Sequence, residues 1–457
     1  MNAVITNQSK FISLYSQTVR AVVCWLTPKR VKVYPSALTL GVVVLAIWTR
    51  SLILSSGAPV SGAVLTDFAA FYIGGQFLLE GRMAELYDYA AQKALQTDLV
   101  APVIKDGILP FIYPPFTALL YAPFASGSYV MGLLLWWAAG LLALGLSLYL
   151  LRQELMPSHA PSTKRLLLIS FLFFPTLAWF LYGQNTALTL LLYILTFVLL
   201  RRGHDFTAGA ALGLLLYKPQ LAIAMGVVLL VKWRWRALIG GALTAGAWIA
   251  LGFALNVAAM NEYLRLGPLL LDQLVRLEGP NTTAWAQHNF FAFSTLLFDS
   301  FWRPGAYLLA AGLTAGALIG LAFWWRRIAW RPGTRTWDLT LAATFALGLL
   351  ISPYLFLYDL MLLLLPLAIV WSHYFHGTGG RALDGGPLLA WSALLYVATF
   401  FGSFLSLAQL QVAAAVGLPR VAVQLSILVI VGWVWLVARM AQHSVLPELP
   451  DPALAAS

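Results

Sequence analysis

The sequence predicts an all-α polytopic membrane protein, and three observations support that fold class. The 457-residue chain is 61% hydrophobic and only 10% charged, whereas soluble proteins carry about 25% charged residues. Apolar runs close to the roughly 20 residues that cross a bilayer recur along the chain. Basic residues cluster between those runs, as they do in cytoplasmic loops. The net charge of +11 is therefore explained by membrane orientation and does not indicate nucleic acid.

The basic clusters also predict the order of the spans. Lys29, Arg30 and Lys32 place residues 1–35 in the cytoplasm, so that residues 56–112 form a first extracytoplasmic segment with amphipathic helices. A second such segment is expected at 258–290. Single spans are expected near 36–55, 115–151 (with a short preceding helix), 166–182, 186–200, 237–257, 305–325, 338–357, 360–372, 388–407 and 412–438.

Residues 203–231 are expected to break in the middle. Both flanks are basic, yet the segment holds only one span's length of apolar residues, interrupted by "YKPQ" at 217–220. Because proline lacks a backbone donor and disfavours helix before it, two short helices should meet at Lys218–Pro219. Broken helices within a membrane face protein or a wet cavity, so Lys218 is expected to point into a cavity that opens outward.

These segments complete the predicted organisation. They give a transmembrane domain over 36–441 with about twelve membrane helices and both termini in the cytoplasm. The tail at 442–457 is expected to be disordered. The protein is therefore expected to be a multi-pass cell-membrane protein (inner membrane if bacterial).

Ionisable groups inside membrane regions are costly and are usually functional. In this chain the polar residues of separate loops converge on the outer side, which is the pattern of a site. These residues are Asp67, Asp88, Tyr113, Gln184, Asn185, Lys218, His288, Asn289, Tyr358 and Asp359.

Most of these residues also have a purely structural interpretation. Asp67 and Asp88 could cap helices, Lys218 could snorkel to the interface, and Gln184 and Asn185 lie where a tight turn is expected. His288 could be a satisfied interfacial histidine, and Asp359 could cap a helix or pair with an arginine. The sequence alone leaves these alternatives open.

Several enzyme classes are excluded by their missing motifs. The chain has no G-x-x-x-x-G-K-[ST] loop, no H-E-x-x-H and no G-x-S-x-G elbow. The single cysteine, Cys24, excludes an internal disulfide and a cysteine-based metal site. No Asp-x-Asp pair occurs either, so neither a metal nor another cofactor is expected.

An ordered set of segments resembles a known family. They are "TDFAAFYIGGQFLLEGRMAELYD" (66–88), "FIYPPFTALLYAPFA" (111–125), "YGQNTALTLLLY" (182–193), "AGAALGLLLYKPQLAI" (208–223) and "SPYLFLYDLMLLLLP" (352–366). Together they resemble glycosyltransferase family 87, whose members have a GT-C fold and use polyprenyl-phosphate-linked mannose. The resemblance covers roughly residues 36–370.

The resemblance implies roles for matching positions. Asp67 matches the acid that serves as catalytic base, while Lys218, Tyr113 and Gln184 match elements expected to bind the donor phosphate. Many members carry a histidine near the second Ser-Pro motif, where this chain has Tyr358 and Asp359; either residue could replace it.

Residues and resemblance together predict an inverting glycosyltransferase, with the active site facing outward. It would move a sugar, mannose by resemblance, from a polyprenyl-phosphate donor to a lipid or glycan acceptor; one base suffices because phosphate is a good leaving group. A transporter or flippase is the alternative, since broken helices and buried charge suit it too. A non-catalytic scaffold would leave the one-sided clustering unexplained.

Overall fold

The structure is a computed structural model that describes residues 17, 21, 23–101, 108–156, 160–266, 283–375 and 385–443. Within these ranges the chain is helical, with no strand and one isolated antiparallel bridge between Gln287 and Phe356. Of the predicted disordered tail, residues 444–457 lie outside the described residues. So do parts of the predicted extracytoplasmic segments, at 102–107 and 267–282, and most of 1–22.

The principal helices are numbered here in chain order. They are α1 Pro28–Ser55, α2 Phe68–Leu79, α3 Tyr89–Val100, α4 Thr117–Ala125, α5 Tyr129–Leu155, α6 Thr163–Ser170, α7 Phe174–Tyr182, α8 Thr186–Arg201, α9 Asp205–Gly213, α10 Ile223–Val231, α11 Trp235–Leu255, α12 Phe290–Phe298, α13 Arg303–Arg327, α14 Arg335–Ile351, α15 Leu364–Phe375, α16 Gly385–Ala415 and α17 Leu425–His443.

Membrane-spanning length is reached by seven helices of the described chain, or by eight if the bent pair α6–α7 counts as one span. Four further apolar segments have only 10–17 residues: Phe68–Leu79, Thr186–Arg201, Asp205–Tyr217 and Pro219–Val231. The polytopic helical class is thereby confirmed, whereas the count of about twelve spans stays a prediction.

The expected span near 166–182 is wrong as a single helix. It consists of α6 and α7, which meet at an angle of 82°. Phe173 has extended backbone (φ −82°, ψ 109°), and Pro175 lies in the first turn of α7. The proline supplies no donor to α6, so the chain restarts a helix in a new direction.

The predicted break at Lys218–Pro219 is present. Helix α9 ends in a 3-10 turn, Leu214–Tyr217, and a second 3-10 turn, Pro219–Ala222, leads into α10. Lys218 between them has φ −134° and ψ 65°, outside the helical region. Helices α9 and α11 pack closely beside this break, because a Cβ on Gly209 would lie 1.8 Å from the Ala237 carbonyl oxygen.

Helix α2, in the first predicted extracytoplasmic segment, is not amphipathic as expected. It is buried on nearly all sides, because Phe68, Phe71 and Phe77 form a second core with the α4 and α5 side chains Tyr121 and Trp136. This packing fixes the start of α2, where Asp67 lies, against the ends of the membrane helices.

Candidate active site

A cavity of about 430 Å³ lies beside the start of α2. Four residues singled out from the sequence line it: Asp67, Tyr113, Gln184 and Tyr358. They come from four separated parts of the chain, so the predicted convergence is present for these four. Aromatic side chains, among them Phe71, Tyr182, Trp285 and Phe356, make up much of the remaining wall.

Asp67 and Gln184 are joined directly. Gln184 Nε2 donates a hydrogen bond of 2.6 Å to Asp67 Oδ2, although 117 residues separate the two in the sequence. The Gln184 side chain is buried, and its Oε1 has no hydrogen-bond partner within the described part of the chain. An acceptor that is buried without a partner is costly, so this oxygen is available to a hydroxyl group in the cavity.

The alternative that the Asp67 side chain caps α2 is contradicted. Asp67 occupies the N-cap position, but it has helical backbone angles (φ −57°, ψ −19°) and makes no capping hydrogen bond with its side chain. The carboxylate is turned instead towards Gln184 and the cavity.

A glycine turn brings Gln184 to Asp67. Gly183 ends α7 in the left-handed region at φ 66°, and a Cβ there would lie 2.9 Å from Thr66 Oγ1. Only glycine combines this conformation with so close an approach. Two indole groups hold the turn: Trp136 Nε1 donates to Gly183 O (2.9 Å) and Trp179 Nε1 to Gln184 O (2.7 Å).

Tyr113 and Tyr358 are two of the aromatic residues in the wall. Tyr113 packs edge-on against Phe71 with ring centroids 5.4 Å apart, and its carbonyl accepts a bond of 2.6 Å from the Tyr87 hydroxyl. Tyr358 stacks on Phe356 at 5.6 Å and contacts Tyr182 at 5.8 Å. Aromatic faces next to polar groups suit the binding of a sugar ring.

Lys218 and Asp359 form a buried ion pair. Lys218 Nζ lies 2.9 Å from Asp359 Oδ1, and the same oxygen accepts a bond of 2.8 Å from Thr186 Oγ1. The two side chains are only 7% and 5% exposed, so Lys218 does not snorkel to the interface. Lys218 is also not among the residues that line the 430 Å³ cavity. To contact a phosphate there, it would have to exchange its present partner.

Asn185 lies behind the cavity wall. Its Nδ2 donates a bond of 3.0 Å to the Tyr121 hydroxyl, and its Oδ1 is buried without a partner within the described ranges. It is not among the lining residues. Asn185 therefore connects the turn of Gln184 to the aromatic core around α2.

The remaining three candidates do not line the cavity, although Ser403, a hydrogen-bond partner of His288, does. Asp88 is exposed and caps α3 through a bond of 2.7 Å from Ala91 N, as the capping alternative expects. Asn289 caps α12 through a bond of 2.7 Å from Ala292 N. His288 is bonded to the hydroxyl groups of Ser426 (2.6 Å) and Ser403 (3.0 Å), and burial lowers its pKa to about 3.

A network at the opposite end of the helices was not predicted from the sequence. Arg201, at the end of α8, contacts Glu154 (3.1 Å) and the fully buried Asp338 (3.3 Å). His373 Nε2 lies 2.8 Å from the same oxygen of Asp338. The available signal was Asp338 itself, an acid in the first turn of an apolar helix next to basic residues.

The fold and the cavity define an integral membrane protein with an enzyme-like site at one end of its helices. The sequence model of glycosyltransferase family 87 matches residues 111–353, more than half of the chain. The chain therefore belongs to glycosyltransferase family 87, and this membership supports glycosyl transfer as its activity. The match includes Tyr113, Gln184 and Lys218, while Asp67 precedes it. Neither a curated protein nor a solved structure matches the chain.

Proposed function

We propose that the protein is an inverting glycosyltransferase with Asp67 as its catalytic base. The donor is a polyprenyl-phosphate-linked sugar, mannose according to the family resemblance, and the acceptor is a hydroxyl group of a lipid or glycan. The cavity faces the extracytoplasmic side, and the reaction needs no metal or other cofactor. The observation that carries the proposal is the Asp67 carboxylate, held by Gln184 in the wall of the cavity.

The proposed reaction is a direct displacement at the anomeric carbon. The acceptor oxygen forms a bond to C1 of the sugar while the bond from C1 to the phosphate oxygen breaks. The electron pair of that bond leaves with the polyprenyl phosphate, and Asp67 takes the acceptor proton. Since phosphate leaves as a stable anion, no general acid is required, and a β-linked donor gives an α-linked product.

Gln184 supports this role in two ways. The hydrogen bond from its amide to Oδ2 fixes the position of the Asp67 carboxylate. Its unpartnered Oε1 can accept a hydrogen bond from a hydroxyl group of the sugar or the acceptor. Tyr113 and Tyr358 line the cavity in which the sugar would lie, and their rings can pack against it.

The test is sugar transfer by the purified protein. Wild type and Asp67→Asn are incubated with radiolabelled polyprenyl-phosphate-mannose and a crude lipid acceptor extract. We expect a labelled product from wild type and a loss of at least about 100-fold in Asp67→Asn, because a general base contributes about 100- to 10,000-fold to the rate. Near-normal turnover in Asp67→Asn, at equal expression, would disprove the assignment of the base.

A transporter or flippase remains the second candidate because two segments, α6–α7 and α9–α10, are broken as in many transporters. Substrate counterflow in proteoliposomes separates the two functions. Counterflow without sugar transfer would favour the transporter.

A further inference from the structure

The donor phosphate needs a cationic partner, and Lys218 is already engaged. Its ammonium group is paired with Asp359 at 2.9 Å in a site that is almost closed to solvent. Removing a lysine from a buried pair leaves an uncompensated carboxylate, which is strongly unfavourable. A cation that is held more weakly and lies closer to the bilayer would bind a lipid phosphate at a lower cost.

Arg50 is such a cation. It is the one charged residue in the chain between Lys32 and Asp67, and it lies in the apolar helix α1. Within the described residues its guanidinium forms hydrogen bonds to two backbone carbonyls: Nη1 lies 3.3 Å from Ala46 O and Nη2 lies 3.5 Å from Leu181 O. Bonds of this length are weak, and no carboxylate of the described residues forms an ion pair with Arg50. A guanidinium group held this way within a membrane helix is costly unless an anion joins it.

Arg50 lies at the same end of the helices as Asp67. It is located five residues before the end of α1, and its guanidinium reaches the last turn of α7, just before the turn that holds Gln184. The Tyr129 hydroxyl lies 3.1 Å from Thr66 N and is within electrostatic reach of both Asp67 and Arg50.

The face of α1 that carries Arg50 borders a path from the bilayer to the cavity. About two turns earlier on that helix, Val42 and Val43 pack against the cluster of Phe174 on α7 and Phe400 on α16. Both α7 and α16 also line the cavity, through Phe174 and Phe404. Phe404 is 54% exposed, so the cavity reaches the lipid-facing surface there. A lipid-linked donor that approaches between α1 and α16 would meet Arg50 at the level where its phosphate lies.

We infer that Arg50 binds the phosphate of the polyprenyl-linked donor. The inference deepens the proposed function and rests on it. Arginine suits this role because its planar guanidinium can donate two parallel hydrogen bonds to a phosphate and stays charged in apolar surroundings. Lys218 and Asp359 then form a neutral pair behind the wall.

The direct test measures binding of a polyprenyl monophosphate, without sugar, to the purified protein in detergent. The variants are Arg50→Gln and Arg50→Lys, with Arg420→Gln as a control because Arg420 is an exposed arginine that lies outside the helices. We expect Arg50→Gln to weaken the affinity at least tenfold, Arg50→Lys to weaken it less, and Arg420→Gln to leave it unchanged. Equal binding by wild type and Arg50→Gln, or no binding by wild type, would overturn the inference.

Competition with phosphatidylglycerol tests whether Arg50 binds the phosphate of the polyprenyl lipid or that of bulk phospholipid. If it competes as well as the polyprenyl phosphate and loses affinity equally in Arg50→Gln, Arg50 binds bulk phospholipid and the inference is wrong. Sugar transfer distinguishes this failure from a failure of the proposed function. In an active wild type, Arg50→Gln should raise the donor KM at least tenfold with kcat changed less than twofold. An unchanged KM would refute only the role of Arg50, whereas an inactive wild type would refute the proposed glycosyltransferase activity.

Discussion

At the scale of single residues, the hydrogen bond from Gln184 fixes the position of the Asp67 carboxylate. Chemistry fixes the orientation of the amide, because an ionised carboxylate accepts from Nε2 and would repel Oε1. One oxygen of Asp67 is thereby occupied at 2.6 Å. The geometry makes Gln184 a positioning residue for the base, a role distinct from the phosphate contact that the family resemblance implies.

This positioning role predicts an altered pH dependence in Gln184→Glu. The variant places two carboxyl groups about one hydrogen bond apart, and such a pair holds a shared proton because both cannot ionise at low cost. A base that retains its proton acts only at higher pH. We therefore expect the acid limb of the pH–rate profile to move up by at least one pH unit.

The control for this measurement is Gln184→Asn. Its amide is one methylene too short to reach Asp67, so the rate should fall at all pH values while the acid limb stays in place. An unmoved acid limb in an active Gln184→Glu variant would show that Gln184 does not position the base.

At the scale of helices, close backbone contact holds the broken segment in place. Gly209 on α9 lies against the Ala237 backbone of α11, and Gly240 on α11 lies against the Phe206 carbonyl oxygen, which a Cβ would approach to 2.1 Å. Gly246, farther along α11, has open space around it. The glycines near the crossing therefore have a packing role that Gly246 does not have.

The matched pair Gly209→Ala and Gly246→Ala tests this contact. A methyl group at Gly209 would lie 1.8 Å from Ala237 O, so the helices must separate, and we expect a loss of about 1–3 kcal/mol in stability. Alanine at Gly246 should be neutral or stabilising by up to about 1 kcal/mol because alanine favours helix. Thermal unfolding of both variants in detergent measures the difference. Equal melting temperatures would contradict the packing argument.

Local rules predicted one of the two breaks and not the other. The break at Lys218 could be predicted because a charged residue and a proline are adjacent in an apolar segment. The 82° bend between α6 and α7 was missed because a single proline such as Pro175 is often tolerated inside a membrane helix, as Pro35 is in α1. The Gln184–Asp67 bond could not be predicted, since no local signal fixes a contact between residues 117 positions apart.

At the scale of the whole molecule, the polar and charged groups described above lie at two opposite ends of the helices. Asp67, Gln184 and Arg50 lie at one end, where α5 begins and α8 starts. Glu154, Arg201, Asp338 and His373 form the network at the other end. The basic loops therefore lie opposite the cavity, which is the arrangement that the positive-inside rule predicts for the proposed extracytoplasmic site.

This separation predicts which surfaces a membrane-impermeant maleimide can reach. Cys24 is exposed and is the single cysteine in the chain, and it adjoins the first basic cluster. Lys93 is exposed on α3, next to the cavity end. In sealed right-side-out vesicles we expect no labelling of wild type at Cys24, and strong labelling of Lys93→Cys combined with Cys24→Ser.

Both proteins should be labelled after detergent is added, which controls for the reactivity of each thiol. Labelling of Cys24 alone in sealed vesicles would show that the protein has the opposite orientation in the membrane. The cavity would then face the cytoplasm, and a donor displayed on the outer surface could not reach Asp67.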